Sequence, residues 1–231
     1  MALALAIWLA PAPARAQSSI VSQIAGDKAA TDKLYFSLRF GISANLLKGM
    51  EGVDRLGGAN VGLFATIRLP HGFALAPEFV PFSRKGVTDI PFVPTGDPGI
   101  DPHFTEPAGS ALILACMDAA VLLKYRLNER LHFGAGPFVG FLTSATERFR
   151  AELETGEELI HKKDVTGEYR DLDYGLVLEA SWVMTKPRRG EGLVFHFRYQ
   201  AGLADVLRDP AAPLPVRSSV IQVFLSFPFI R

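Results

Sequence analysis

Cysteine is almost missing from this chain: Cys116 stands alone among 231 residues. One thiol excludes an internal disulfide framework and any metal site built on paired cysteines. An excess of either charge is also missing, with 24 basic residues against 24 acidic ones. A nucleic-acid binder needs a basic surplus, so no nucleic-acid partner is expected. Beyond residue 16 no apolar run approaches the roughly 18 residues that a membrane-crossing helix requires. Nothing in the chain points to a cofactor. What is abundant is glycine, at 21 residues, and phenylalanine, at 17.

The N-terminus has a distinct composition. Residues 1–16, MALALAIWLAPAPARA, join an apolar stretch, Ala2 to Ala10, to the small-x-small triplet Ala14-Arg15-Ala16. This is the layout of a secretory signal peptide cut before Gln17. No cysteine follows the cut, so no lipid anchor is expected there. Residues 17–33 form a polar lead carrying Ile20, Val21 and Ile24. An exported chain without a spanning helix is periplasmic, secreted or an outer-membrane barrel, and residues 34–231 are expected to form that last domain.

The reason is period two. In residues 35–46, YFSLRFGISANL, Phe36, Leu38, Phe40, Ile42, Ala44 and Leu46 share one face, and Ser37, Arg39, Gly41, Ser43 and Asn45 share the other. Successive side chains of a strand point to opposite faces. The pattern returns in 59–69, 73–82, 111–125, 131–142, 172–182, 194–203 and 218–229. Each segment is long enough for a tilted strand to cross a bilayer, which takes roughly 9–11 residues. The connections at 70–72, 127–130 and 183–193 are short. Those at 47–58, 84–110, 143–171 and 204–217 are long. Short turns at one end and long loops at the other are the layout of an outer-membrane barrel. The expected fold is therefore all-β: an eight-stranded antiparallel up-and-down transmembrane β-barrel in the cell outer membrane.

Charge placement agrees. Arg39, Arg68, Lys124 and Arg198 fall on the polar face with Glu78, Asp118, Asp173 and Glu179. Eight strands close around an interior just filled by side chains, and an unpaired buried charge is costly. These eight residues, with His196, are the expected polar network of a plugged lumen. Glu179–Arg198 and Glu78–Arg68 are candidate pairs on neighbouring strands, and Arg39 needs a carboxylate that the pattern does not identify. His132 and His196 are the lumen-facing histidines, and Ser37, Ser43, Ser181, Ser218 and Ser226 share their face. Serine hydrolysis needs nucleophile, base and orienting acid within hydrogen-bond reach, and the strand positions of the two histidines do not favour it. Cys116 is expected inside the lumen. Asp97-Pro98-Gly99-Ile100-Asp101 hints at a cation loop but lacks the dense oxygen spacing of a calcium site; loop 84–110 reads as stiff and solvated. In 143–171 the alternation continues through Phe149, Ala151 and Leu153 towards Thr155-Gly156, so the wall is expected to extend into a charged hairpin.

Four segments resemble the PorT-like outer-membrane β-barrel family: ALAPEFVPFSRKG at 74–86, AAVLLKYRL with HFGAGPFVGFL across 119–142, DLDYGLVLEASW at 171–182 and FRYQAGLADV at 197–206. Ala119 and Ala120 depart from it where a proline is expected. The resemblance implies an integral outer-membrane protein of a Gram-negative bacterium, surrounded by outer-membrane lipid and inserted by the barrel-assembly machinery. The expected role is structural, interactive or secretion-accessory, with a possible protein partner held by loops 84–110 and 143–171 and with no enzymatic activity. A narrow porin and a barrel hydrolase acting on lipid A are the alternatives.

Overall fold

Period-two patterning becomes a closed wall in the computed structural model, which describes residues 34–94, 97–99, 101–104, 108–153, 156–185, 192–209 and 214–229. The expected signal peptide, the polar lead and most of the connection at 183–193 lie outside the described residues. Nine strands follow in order: β1 (Leu34–Lys48), β2 (Asp54–Arg68), β3 (Phe73–Thr88), β4 (Gly109–Arg126), β5 (Leu131–Glu152), β6 (Glu158–Asp164), β7 (Leu172–Val183), β8 (Val194–Gly202) and β9 (Arg217–Phe229). Each pairs antiparallel with its neighbours, and β9 returns to β1, so that Arg39 lies opposite Ser226. Eight of the nine close the ring. β6 pairs with β5 alone, above the ring, from Thr146↔Asp164 to Glu152↔Glu158.

The apolar face points outward. Ile42 is 67% exposed, Leu178 59% and Trp182 46%, whereas Arg39, Glu179 and Arg198 are buried. This inverts a soluble barrel, in which the charged face meets solvent. It is the arrangement that lipid demands, because closure leaves no sheet edge in hydrocarbon and the wall presents only apolar side chains there.

The long strands differ from simple alternation at two places. Between β3 and β4 the register shifts from Val80↔Asp118 to Ser83↔Cys116. Pro81 has no N–H to give to a ladder, and a bulge accommodates it. Lumen-facing positions change there from even to odd numbers, so Phe82 and Arg84 are exposed while Ser83 and Lys85 are buried. In β5 the pairs Ala115↔Ser144 and Cys116↔Leu142 leave Thr143 as the extra residue, and its hydroxyl donates to the Ala115 carbonyl at 2.8 Å. Phe149 and Ala151 therefore turn inward.

The connections need correction as well. Segment 47–58 is not a long loop: β1 and β2 are joined by residues 49–53 alone, with Gly49 at φ +100° and Gly52 at φ +70°. Glycine takes such positive φ angles at no steric cost. Loop 84–110 is not simply solvated. Its ends belong to β3 and β4, and Ile90 and Phe104 are buried in an apolar cluster with Leu47, Val87, Leu112, Phe149, Tyr169 and Val216. This cluster lies across the long-loop end of the barrel as a lid. Asp97 makes a local turn: its side-chain Oδ1 accepts from Gly99 N at 2.8 Å and its backbone carbonyl accepts from Asp101 N at 2.9 Å. Among the described residues no group of histidine, cysteine or acidic side chains is arranged to hold a metal.

Candidate functional site

Inside the wall the charged side chains lie in two layers. The layer nearer the short turns is built on Glu78 (β3) and Glu179 (β7). Glu78 Oε2 meets Arg39 Nη1 at 2.8 Å and Arg198 Nη1 at 2.7 Å, and Glu78 Oε1 accepts from Arg198 Nη2 at 2.8 Å. Arg198 also donates from Nε to Glu179 Oε2 at 3.0 Å and from Nη2 to the same oxygen. Lys124 Nζ lies 2.9 Å from Glu179 Oε1. Five strands, β1, β3, β4, β7 and β8, thus meet in one network across the lumen. Planar guanidinium groups suit this task, because one arginine can bind two carboxylates at once. The faces of Phe224 and Phe64 complete the surroundings: the Arg39 and Arg198 guanidinium carbons lie 4.7 and 4.9 Å from the Phe224 ring centre, and Lys124 Nζ lies 4.9 Å from that of Phe64.

The second layer lies nearer the long loops, and Ala76, Leu122, Phe138 and Val177 form a buried apolar cluster in the same lumen. Its centre is Lys85. Lys85 Nζ lies 3.1 Å from Asp118 Oδ1 and 2.8 Å from Asp173 Oδ2, and Ser218 donates to Asp173 Oδ2 at 2.7 Å. Gly140 is the register partner of both aspartates. A Cβ there would lie 2.5 Å from Asp118 Oδ1 and 2.9 Å from Lys85 Nζ, so glycine is what makes room for the ion triplet.

The structure thus brings together eight of the nine expected network residues: Arg39, Glu78, Asp118, Lys124, Asp173, Glu179, His196 and Arg198. Arg68 is the exception. It is exposed at the short-turn rim, with its guanidinium carbon 5.3 Å from the Tyr35 ring centre, and Glu78 pairs with Arg39 and Arg198 instead. Its place in the balance is taken by Lys85, which period two alone assigns to loop 84–110. Pro81 was the available signal, since a proline within a strand marks a bulge. With Lys85 in place of Arg68 the lumen still holds four cations and four carboxylates. Cys116 is buried, as expected.

His196 lies stacked on Phe224 at 4.5 Å between ring centres. Its Nδ1 is 3.0 Å from Glu179 Oε1, its Nε2 is 2.8 Å from Ser226 Oγ, and Ser181 Oγ is 2.9 Å from Nδ1. With the proton on Nδ1, the ring donates to Glu179 and accepts from Ser226. Acid, base and hydroxyl thus have the spacing of a hydrolytic triad. Burial separates this group from any substrate: His196 is 1% exposed and Ser226 2%. Glu179 is moreover engaged by Lys124 and Arg198. His132 is likewise buried in the lumen wall, opposite Ser181.

Above the ring the groups titrate in a wetter setting. Burial holds the Glu147 carboxyl above the usual carboxylate range, with Lys163 acting against it. Hydrogen bonds from Thr166 hold the Asp164 carboxyl below that range.

The family model for the outer membrane protein beta-barrel domain matches residues 16–208. No curated protein matches the sequence. Similar solved structures include Ail, the attachment invasion locus protein of Yersinia pestis, in complex with the heparin analogue sucrose octasulfate. It is 10% identical with a TM-score of 0.42, over 85% of this chain and 98% of that one. Neisserial surface protein A is 11% identical with a TM-score of 0.42, over 85% and 97%. The outer membrane protein OprG of Pseudomonas aeruginosa is 13% identical with a TM-score of 0.35, over 86% and 97%. Likenesses this distant carry no argument about role, and the assignment rests on the family model together with the inverted, closed wall. The chain belongs to the outer membrane protein beta-barrel domain family and is an integral β-barrel of the cell outer membrane.

Proposed function

We propose that this protein works through its surface and not through its interior: a closed barrel of structural, interaction or secretion-accessory type, with its long-loop end outside the cell. The observation that carries this reading is the filled lumen. Two layers of paired charge, a buried apolar cluster among them and an apolar lid above leave the interior occupied by side chains. A porin lumen is polar and water-filled, and solute passage here would require opening ion pairs that are costly to leave unpaired. The same filling argues against lipid A hydrolysis, because Ser226, His196 and Glu179 face the lumen and not the lipid. The four segments at 74–86, 119–142, 171–182 and 197–206 support the finer placement in the PorT-like branch. Outer-membrane lipid around the wall and insertion by the barrel-assembly machinery belong to the same proposal. The exposed β5–β6 hairpin and the segments flanking the lid are the candidate contact surface, in keeping with the expectation for 84–110 and 143–171.

Planar-bilayer recording from the purified protein tests the reading. The expected result is an intact membrane with no steady single-channel current. Resolved, long-lived openings at neutral pH would overturn the plugged lumen and favour the porin. In a parallel assay, His196→Ala is expected to leave the lipid A profile of expressing cells unchanged. A profile altered by the native protein and restored by this variant would favour the hydrolase.

A further inference from the structure

The free edge of β6 has a charge pattern complementary to itself, and we propose that it pairs antiparallel with β6 of a second copy presented from an opposed membrane. The inference rests on the surface role proposed above. Among the described residues β6 pairs only with β5. Val165 N donates to Ala145 O and Leu153 N donates to Glu157 O, both at 2.9 Å, so the odd-numbered backbone groups face β5. By the two-residue period of a strand, Glu158, Ile160, Lys162 and Asp164 direct their N–H and C=O groups to the open side. Such an edge is a template for another strand.

Lysines commonly guard an edge against this pairing, and Lys162 and Lys163 fit that description if the partner is arbitrary. They do not if the partner is this chain. In an antiparallel register centred on Ile160, Ile160 meets its own counterpart, Glu158 faces Lys162 and Glu157 faces Lys163. Two-fold symmetry makes each ion pair twice, four in all. Shifting the register by one allowed step in either direction loses these pairs, and one of the two shifts sets Glu158 against Asp164. A parallel, in-register pair would put each lysine beside its own copy, and like charges directly opposite one another are destabilising. The pattern therefore specifies antiparallel self-pairing.

The membrane then decides the geometry. Two copies side by side in one bilayer run their β6 strands in the same sense along the membrane normal. Antiparallel edges meet when the copies face each other from two apposed surfaces. The chain's own contacts on these side chains are loose: Arg150 Nη1 lies 3.6 Å from Glu158 Oε1, Lys163 Nζ lies 3.9 Å from Glu147 Oε2 and 4.0 Å from Glu168 Oε1, all among partly exposed groups. Leu159 and His161 lie on the face opposite Glu158, Ile160 and Lys162, against the lid, with the His161 ring 5.8 Å from that of Phe104, so the strand is held in place before a partner arrives. One such pairing is weak, and many in parallel between two membranes gain by multivalency.

Vesicle tethering tests this. Liposomes carrying the full-length native protein are expected to cluster by light scattering, and to disperse as salt rises. Lys162→Glu and Glu158→Lys are each expected to reduce clustering at least tenfold, because each sets like charges against one another in the self-pair. Mixing vesicles of the two variants is expected to restore it, because each reversed charge finds its opposite only across the mixed pair. Clustering unaffected by either reversal, or not recovered on mixing, would overturn the pairing. In detergent, Ile160→Cys with Cys116→Ser is expected to give a covalent dimer under copper–phenanthroline oxidation; absence of the dimer counts against the register. Labelling of the same variant on intact cells with a membrane-impermeant maleimide separates the two readings. No labelling would overturn the outward orientation proposed above, whereas labelling without clustering would overturn the self-pairing alone.

Discussion

Replacing Glu78 by glutamine removes one charge from the lumen with almost no change of shape. The cost falls mainly on Arg39, for which Glu78 is the carboxylate partner, at 2.8 Å. Arg198 loses two contacts to Glu78 but keeps Glu179. Arg39 is 4% exposed and under the Phe224 ring, so water cannot readily replace the lost carboxylate. Breaking a buried pair from one side costs about 3–5 kcal/mol, and Glu78→Gln is expected in that range. Arg39→Met is expected to cost less, about 1–3 kcal/mol, because Glu78 retains both Arg198 contacts and only one charged hydrogen bond is lost. The double variant removes the orphaned cation and is expected to be more stable than Glu78→Gln alone by more than about 1 kcal/mol, a non-additivity of the size seen for contacting residues. The measurement is equilibrium unfolding by guanidinium from lipid vesicles, followed by Trp182 fluorescence. With slopes of a few kcal/mol per molar, the single variant shifts the midpoint by on the order of 1 M. A Glu78→Gln cost under about 1 kcal/mol, or strict additivity in the double variant, would refute a dry, paired lumen.

Gly140→Ala puts a methyl group between Asp118 and Lys85 and is expected to cost about 1–3 kcal/mol by overpacking, whereas Gly57→Ala, with nothing within 4 Å, is expected to unfold like the native protein in the same guanidinium titration. Ile42→Arg, on the outward face, is expected to lose about 2–4 kcal/mol in vesicles if the side chain meets the bilayer midplane, and an unchanged midpoint would argue against lipid contact there. Asp164 has a lowered pKa in the folded chain because its carboxylate accepts from Thr166, including the backbone N–H at 2.8 Å. Its contribution is therefore present at neutral pH and lost as pH falls through that lowered value. Amide exchange at Thr166 in the native protein, compared with Asp164→Asn and corrected for intrinsic rates, is expected to converge between the two in acid and to diverge at neutral pH.

Much of this protein is legible from period two alone. Once Phe36, Leu38, Phe40 and Ile42 are set against Ser37, Arg39 and Ser43, the same two-face rule places Asp118, Lys124, Asp173, Glu179 and Arg198 together. The long excursions between β3 and β4, β5 and β7, and β8 and β9, all at one end, are the layout of a lipid-crossing barrel, whose sheet must close and must show hydrocarbon to hydrocarbon. The sequence by itself thus determined the strand count of the ring, its sense and the sign balance of its interior. It did not determine what depends on register or on residues distant in the chain. The bulge at Pro81 inverts which side of β3 faces the lumen, which brings Lys85 into the place expected for Arg68, and Thr143 inverts β5 in the same way and sends Phe149 into the lid. The partners of Arg39 and the junction of Asp118, Lys85 and Asp173 around Gly140 follow from closure, which brings β3 across the lumen from β7 and β8. Ring closure and two one-residue slips in register are tertiary facts, because a period of two records which residues alternate but not where the alternation changes phase or what lies on the far side of the barrel.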